Sequence, residues 1–169
     1  EEEMFDANYD NMENLKPVIP EGNSDSASLD NVFELLSMSG HSAPLAKLML
    51  IPDAWSKKSK ILPNNQLKLF NFLNSTMEPW DGPAALAGTD NEWVIAASDR
   101  NGLRPLRFTI TRDKLLFAGS ETGMVDLNEK KIIRKGRLGP GEIIGVRIEK
   151  GKVFTNSQIK DYLAKEYKH

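Results

Sequence analysis

The polar residues that could do chemistry fall into a few short stretches of this 169-residue chain. Asp25 stands between Ser24 and Ser26, directly before an apolar helical pattern. At such a position a carboxylate or hydroxyl oxygen normally accepts hydrogen bonds from the free N–H groups of the first helical turn. Capping is therefore the first interpretation of Asp25 from the residues alone.

A second charged group lies in a long connection between two apolar runs. Asp99, Arg100, Arg104 and Arg107 could form an anion site, or a salt-bridge cluster that fixes the connection. The sequence alone favours the cluster, because arginine and aspartate near a chain reversal more often brace it than bind a ligand. An Asn-Gly dipeptide inside the connection readily adopts positive φ and predicts a tight turn.

Four other features have a structural interpretation as the first choice. Gly139-Pro140-Gly141 lacks the spacing of a phosphate-binding glycine loop and predicts a turn. Trp80 is expected to pack at a corner of the fold rather than to serve as a substrate platform. We expect Glu121 to make a structural hydrogen bond and His41 to lie at the C-terminal end of a helix.

The composition excludes several classes of site. The chain has no cysteine, so it offers no disulfide, no thiolate nucleophile and no cysteine metal site. Its two histidines, His41 and His169, do not predict a zinc site, and we expect neither a metal nor a cofactor to bind this segment. A net charge of -2 gives no reason to expect nucleic acid or an anionic membrane as a partner.

The elements that must position these residues are predicted to be helices, then antiparallel strands, then a last helix. Residues 1–14 contain either one helical stripe or a frayed acidic tail, and three lysines within residues 53–60 indicate a solvated loop. Helical spacing with stop signals at Gly40 and Pro52 defines two helices, and Pro63 fits the first turn of a third. The first predicted helix begins near residues 24–26, has its apolar positions within residues 29–36 and ends at Gly40. The other predicted helices cover residues 43–51, 63–74 and 156–167.

Four short apolar runs between residues 77 and 120 predict one antiparallel sheet. The first two runs are built from small apolar residues and are expected to be buried on both faces, whereas the third alternates. The four runs are 83–87, 93–97, 106–110 and 115–118. Further strands are predicted at 131–134, 142–148 and 153–154, with residues 136–141 as a turn. This order predicts an α+β fold with helices on a sheet face.

Four stretches resemble, in the same order, motifs of the glutamine amidotransferase domain of glutamate synthase large subunits. They are residues 22–31, with the string SDSASLDN, and residues 77–85, 99–107 and 135–142. The resemblance extends over about residues 15–160. Sister class II amidotransferases, such as the phosphoribosyl-pyrophosphate amidotransferase of purine synthesis, share a shorter Ser-Asp element and an Arg-Asp-x-x-Gly-x-Arg-Pro turn. They are not known for the Glu-Pro-Trp-Asp-Gly-Pro block.

The resemblance implies an N-terminal-nucleophile hydrolase fold, in which antiparallel sheets are sandwiched by helices in αββα order. Residues 1–169 would be the C-terminal part of a single type-2 glutamine amidotransferase domain. The family's nucleophile is a cysteine at the first position of the domain, with its own α-amino group as base. That cysteine, the oxyanion pair and the arginine that holds the glutamine carboxylate belong to the earlier half. The segment is therefore predicted to have no catalytic residue and to be inactive by itself.

One residue of this chain is assigned to the substrate by the resemblance. The aspartate of the family's Ser-Asp element binds the α-amino group of glutamine, and that position is Asp25, with Ser24 and Ser26 as neighbouring contacts. A carboxylate facing an ammonium forms a charge-assisted hydrogen bond. Asp99, Arg104 and Glu121 match family positions with a structural role.

The parent enzyme implied by the resemblance hydrolyses L-glutamine and passes the ammonia to 2-oxoglutarate for reductive synthesis of glutamate. FMN, an iron–sulfur cluster and an electron donor, either a small subunit or ferredoxin, would belong to other parts. The partners of this segment would be glutamine, the missing N-terminal half and the synthase domains, in the cytoplasm or a plastid. The alternatives are the amidotransferase part of a related biosynthetic enzyme, such as the purine-pathway one, and a non-catalytic scaffold or interaction domain.

Overall fold

The computed structural model describes residues 16–53 and 62–167. The helices are α1 (Asp25–Met38), α2 (Ala43–Leu50), α3 (Asn64–Thr76) and α4 (Asn156–Glu166). The strands are β1 (Ala85–Thr89), β2 (Trp93–Ser98), β3 (Arg107–Thr111), β4 (Leu116–Gly119), β5 (Ile132–Arg137), β6 (Ile143–Arg147) and β7 (Lys152–Phe154). A 3-10 turn at Glu129–Lys131 precedes β5. The predictions for residues 1–14 and for the lysine loop at 57–60 lie outside the described residues.

The strands form two antiparallel sheets, so the prediction of one sheet from the four apolar runs was wrong. The first sheet has the order β1-β2-β6-β7 and the second the order β4-β3-β5. The β1–β2 hairpin belongs to the first sheet and the β3–β4 hairpin to the second. The connection between β2 and β3 takes the chain from one sheet to the other, and a pattern of apolar runs cannot reveal such a transfer.

Burial on both faces is correct for β2 except at Val94, which is 46% exposed, and wrong for β1. In β2, Trp93, Ile95 and Ala97 face the helices while Ala96 faces the second sheet, as the two-residue period of a strand requires. Strand β1 alternates between exposed and half-buried residues. The reason is the position of β1 in the sheet, because among the described strands it lies at the edge and pairs with β2 alone.

The main core lies between the helices and the first sheet. Helix α2 is buried along its whole length, because it packs against α1, α3 and β2. A second, smaller cluster fills the space between the two sheets. It consists of Ala96, Leu106, Phe108, Leu138 and Ile144.

The observed architecture confirms the α+β class and the stacking of antiparallel sheets. All four described helices belong to the side of the first sheet, and none contributes a buried residue to the cluster between the sheets. Within residues 16–53 and 62–167 the second helical layer of the implied αββα order is therefore not seen.

Two local predictions have different outcomes. The glycine stop of α1 is confirmed, because Gly40 has φ +90° and the N–H of His41 donates to the Leu36 carbonyl at 3.1 Å. The predicted turn at residues 136–141 starts too early, since Gly136 and Arg137 still belong to β5. Gly136 lies beneath the ring of Phe108, and a Cβ atom there would come within 2.4 Å of that ring.

The connection between the sheets is held by the side chain of Asp99, which is fully buried. One carboxylate oxygen accepts hydrogen bonds from the N–H groups of Asn101 and Leu103, both at 3.0 Å. The other accepts from Ala84 at 3.2 Å and from Arg104 at 3.0 Å. Burial by itself would raise the pKa of Asp99, but these four hydrogen bonds together outweigh it and hold the pKa below its ordinary value.

Helix α2 contributes a fully buried lysine to the same region. The ammonium of Lys47 donates to the carbonyl of Gly141 at 2.5 Å. Burial lowers the pKa of Lys47 from 10.5 to about 8, against a smaller opposing effect of the nearby Asp53 carboxylate.

Replacing Asp99 with Asn is expected to lower the free energy of unfolding by about 3 kcal/mol at neutral pH, because the new NH2 group faces two backbone donors. The stabilisation is present above pH 3.8 and is lost as the pH falls through the lowered pKa, so the variant should lose less stability in acid. Urea unfolding followed by tryptophan fluorescence measures both effects. Asp81→Asn, at an exposed site, is the control, and equal midpoints for Asp99→Asn and wild type would contradict the prediction.

Replacing Lys47 with Met is expected to change the pH dependence of stability in a defined direction. Between about pH 8 and 10.5 the unfolded lysine keeps a proton that the folded lysine has lost, so wild-type stability rises with pH in this interval. Over this interval the free energy of unfolding of the wild type should rise, relative to that of the Met variant, by on the order of 3 kcal/mol. Urea unfolding of both proteins at several pH values in this interval tests the prediction. A difference in unfolding free energy that stays constant with pH would refute it.

Candidate functional site

Three of the four family-like stretches meet at one end of the two sheets. Strand β1 begins and β2 ends there, because Ala85 pairs with Ser98 in the antiparallel register. The N–H of Asp99 donates to the Ala84 carbonyl at 3.0 Å, and its carbonyl accepts from the N–H of Gly141 at 2.7 Å. Residues 77–85, 99–107 and 135–142, far apart in sequence, are thus joined by backbone hydrogen bonds.

The two loops approach each other so closely that one position requires glycine. Gly102 has φ +66°, a conformation that side chains disfavour. A Cβ atom on Gly102 would also lie 3.0 Å from Pro140 Cγ and 3.1 Å from Pro140 Cα. The Asn-Gly dipeptide therefore forms the turn that its sequence predicts, and the Gly139-Pro140-Gly141 turn packs against it.

The first turn of α1 points toward the same end. Phe33 lies against Gly88, near the end of β1, and Leu29, one turn earlier, lines a small cavity with Leu86, nearer its start. Continuing along the helix axis by one further turn brings Asp25 toward the level at which β1 begins.

Asp25 and its two serine neighbours are exposed at this helix start. Ser24, not Asp25, is the N-cap residue, and its Oγ accepts from the N–H of Ala27 at 3.3 Å. The hydroxyls of Ser24 and Ser26 are 3.3 Å apart. Within the described residues the Asp25 carboxylate makes no hydrogen bond or ion pair, so it is free to bind a ligand, and the helix N-terminus favours its negative charge.

Trp80 is a packed corner aromatic, as predicted. The backbone N–H of Trp80 donates to the Leu50 carbonyl at the end of α2, at 2.7 Å, and the half-buried indole ring packs against the main core. Gly82 lies under the ring, where an added Cβ would come within 2.7 Å of it. Through this hydrogen bond, the segment that leads from α3 into β1 is fixed to the C-terminal end of α2.

The predicted cluster of Asp99 with three arginines does not form. The Asp99 carboxylate is occupied by backbone N–H groups, and none of Arg100, Arg104 and Arg107 pairs with it in the part of the chain that is described. Arg107 points away on β3, where it lies opposite Arg137. The salt-bridge cluster was therefore wrong among the described residues, although Asp99 does brace the connection, and the anion site stays a prediction.

Glu121 and His41 lie away from this end. The side chain of Glu121 is exposed just after β4, and among residues 16–53 and 62–167 it finds no hydrogen-bond partner, unlike the prediction. The ring Nδ1 of His41 lies 3.3 Å from the Leu36 carbonyl at the end of α1, where the sequence placed it.

Sequence reasoning missed two buried lysines. Lys160 of α4 is 2% exposed, pairs with Asp53, and lies 5.6 Å from the ring centre of Phe70. Lys47 is the second. A lysine within the otherwise apolar run APLAKLML was the signal available for Lys47, whereas Lys160 stands among polar residues and gave none.

The described residues include no group of three or more His, Asp or Glu side chains able to hold a metal ion. Nor does the described part of the chain contain a helix that is long and apolar enough to span a membrane. What this end of the molecule can offer chemically is an exposed carboxylate with two nearby hydroxyls, at the start of a helix that packs on α2.

Comparison with known proteins gives the relatives of the chain. The chain is 54% identical over 153 residues to the glutamate synthase [NADPH] large chain of Azospirillum brasilense, covering 90% of this chain and 10% of that protein. It is 41% identical over 157 residues to ferredoxin-dependent glutamate synthase 2 of Synechocystis, covering 92% of this chain and 10% of the relative. The chain thus spans about a tenth of the length of the curated relatives it matches.

A family model described as glutamine amidotransferases class-II matches residues 1–169. Its match covers the four motif-bearing stretches and the helices and strands that carry them. The chain belongs to the class II glutamine amidotransferases.

Proposed function

We propose that the chain is part of the glutaminase domain of a glutamate synthase large chain and that it helps to bind glutamine. Residues 1–169 would form the C-terminal part of that one domain. The match to the class II family over the whole chain supports the proposal, as does the similarity to glutamate synthases.

The observation that carries the proposal is the free carboxylate of Asp25 in the first turn of α1. Because Ser24 caps the helix, the Asp25 carboxylate makes no hydrogen bond or ion pair in the described residues and can receive the α-ammonium of glutamine. This charge-assisted hydrogen bond would reject analogues that lack the amine. Ser26, whose hydroxyl is 3.3 Å from that of Ser24, is placed to contact the same substrate.

The bond-breaking chemistry requires groups from another part of the polypeptide. Hydrolysis of an amide through a thioester needs a thiolate, and this chain has no cysteine. The contribution of the present residues is to bind and orient glutamine. Ammonia released in the domain would then serve the conversion of 2-oxoglutarate to glutamate elsewhere in the parent enzyme.

Redox cofactors are also assigned outside this chain. The lack of cysteine means that the thiolates which hold an iron–sulfur cluster come from other segments. We assign FMN to those segments too. The relatives include NADPH-, NADH- and ferredoxin-dependent enzymes, so we place the choice of electron donor outside this segment. The parent would work in the cytoplasm or in a plastid.

Replacing Asp25 with Asn in the full polypeptide is expected to reduce kcat/KM for glutamine by about tenfold to a hundredfold, the cost of losing one charge-assisted hydrogen bond. The change should lie mainly in KM, because Asp25 holds the substrate and does not touch the reacting amide. Steady-state release of ammonia at varied glutamine measures it.

Asp30→Asn is the matched control, since Asp30 is an exposed aspartate of the same helix. It should leave KM for glutamine unchanged. If Asp25→Asn also leaves KM unchanged, or lowers kcat alone, the assignment of Asp25 to the substrate amine is wrong.

The purified 169-residue chain is expected to release no ammonia from glutamine, because the thiolate nucleophile is not part of it. A coupled ammonia assay, with the full polypeptide as the positive control, tests this. Turnover by the purified chain would require a different nucleophile. It would overturn the proposal that these residues only bind glutamine while another part of the polypeptide supplies the nucleophile. Glutamine-independent function as a scaffold would instead leave both samples inactive.

A further inference from the structure

Helix α1, which carries Asp25, contacts strand β1 through an aromatic ring. A Cβ atom added to Gly88 would lie 2.8 Å from Cζ of Phe33 and 3.1 Å from its Cε1. Contacts this short must be relieved, because carbon atoms pack favourably at about 3.5–4.0 Å. The ring of Phe33 therefore occupies the space that a side chain at position 88 would need.

The backbone of β1 does not itself require a glycine at position 88. Gly88 pairs with Ile95 in a regular antiparallel register, and its φ lies outside the left-handed region. Glycine weakens the interior of a strand, where valine and other β-branched residues are favoured. The close approach of the Phe33 ring accounts for the glycine.

Phe33 belongs to the face of α1 that packs on the rest of the protein. Leu29, Phe33 and Leu36 follow one another at helical spacing, and the two leucines are buried while Phe33 is half-buried against the main core. On β1, Leu86 shares the face of Gly88 and packs against the same core. The ring thus lies between helix and strand, and its thickness sets their separation.

Little free space surrounds this contact. The cavity beneath α1, which Phe33 and Gly88 both line, has a volume of about 30 Å³. That is space for roughly one or two water molecules, less than the three carbon atoms of a valine side chain require. Turning the half-buried ring out into water would expose apolar surface, which is also unfavourable. A larger side chain at position 88 must therefore displace the helix.

We propose that Phe33 and Gly88 are positioning residues for glutamine, because their contact sets the place of α1 on β1 and so the place of the Asp25 carboxylate. The inference rests on the proposed function, in which Asp25 receives the α-ammonium of glutamine. Asp25 precedes Phe33 by eight residues of the same helix, about 12 Å along its axis. A charge-assisted hydrogen bond has a length of about 2.7–2.9 Å, so a displacement of about 1 Å at Asp25 breaks it.

The first test enlarges the side chain at position 88 in the full polypeptide. Gly88→Val should raise KM for glutamine about tenfold and leave kcat within about twofold, because neither residue touches the reacting amide. Gly88→Ala, which adds one carbon atom and disturbs folding less, should raise KM by a smaller factor. Steady-state ammonia release measures both variants, and circular dichroism verifies that they are folded. An unchanged KM, or a loss in kcat alone, would overturn the proposal.

The second test restores the fit between helix and strand. Phe33→Leu removes three carbon atoms and Gly88→Val adds three, so the double variant conserves the packed volume. Its KM for glutamine should return to within about twofold of the wild-type value, although Gly88→Val alone is impaired. A double variant no better than Gly88→Val would show that the packing of the ring is not the cause, and would contradict the proposal.

The third test asks whether the effect of position 88 acts through Asp25. In an Asp25→Asn background the contact with the substrate amine is already lost, so adding Gly88→Val should change KM by less than about twofold. An equal increase in both backgrounds would overturn this inference alone, because Gly88 would then act on another part of the pocket. An unchanged KM for Asp25→Asn by itself would instead refute the proposed function, and this inference with it.

Discussion

The buried carboxylate of Asp99 is the interaction on which the rest of the structure depends. A charged group removed from water is costly unless every lone pair is used, and here four backbone N–H groups use them. Because three of these donors belong to the connection between the sheets, the carboxylate fixes the path by which the chain leaves the first sheet for the second. The backbone N–H of Asp99 also donates to the Ala84 carbonyl, and the Asp99 carbonyl accepts from the N–H of Gly141.

Lys47 extends the same network into the helical layer. Its ammonium reaches the Gly141 carbonyl from the centre of α2, and Lys160 of α4 pairs with Asp53 close by. Helices, first sheet and inter-sheet loops are therefore held together by buried polar contacts as well as by apolar packing. Such contacts specify one arrangement of the elements, because each is satisfied only in that arrangement.

The supporting groups and the proposed substrate contact are different in kind. Asp99 is buried and fully hydrogen-bonded, whereas Asp25 is exposed, and Ser24 takes the capping role that could have occupied it. The same amino acid thus serves as a structural anchor at one position and as a free carboxylate at the other. The number of backbone donors around each side chain makes the difference.

The sequence by itself determined the helices, the Asn-Gly turn, the α+β class and the family, because helical spacing, glycine and proline stops and four ordered motifs are local signals. It did not determine that the four apolar runs belong to two sheets, that β1 lies at an edge among the described strands, or that Asp99 binds backbone instead of arginine. Those outcomes depend on which distant segments meet. Strand partners, burial and hydrogen-bond donors are properties of the packed chain, and no local pattern of residues encodes them.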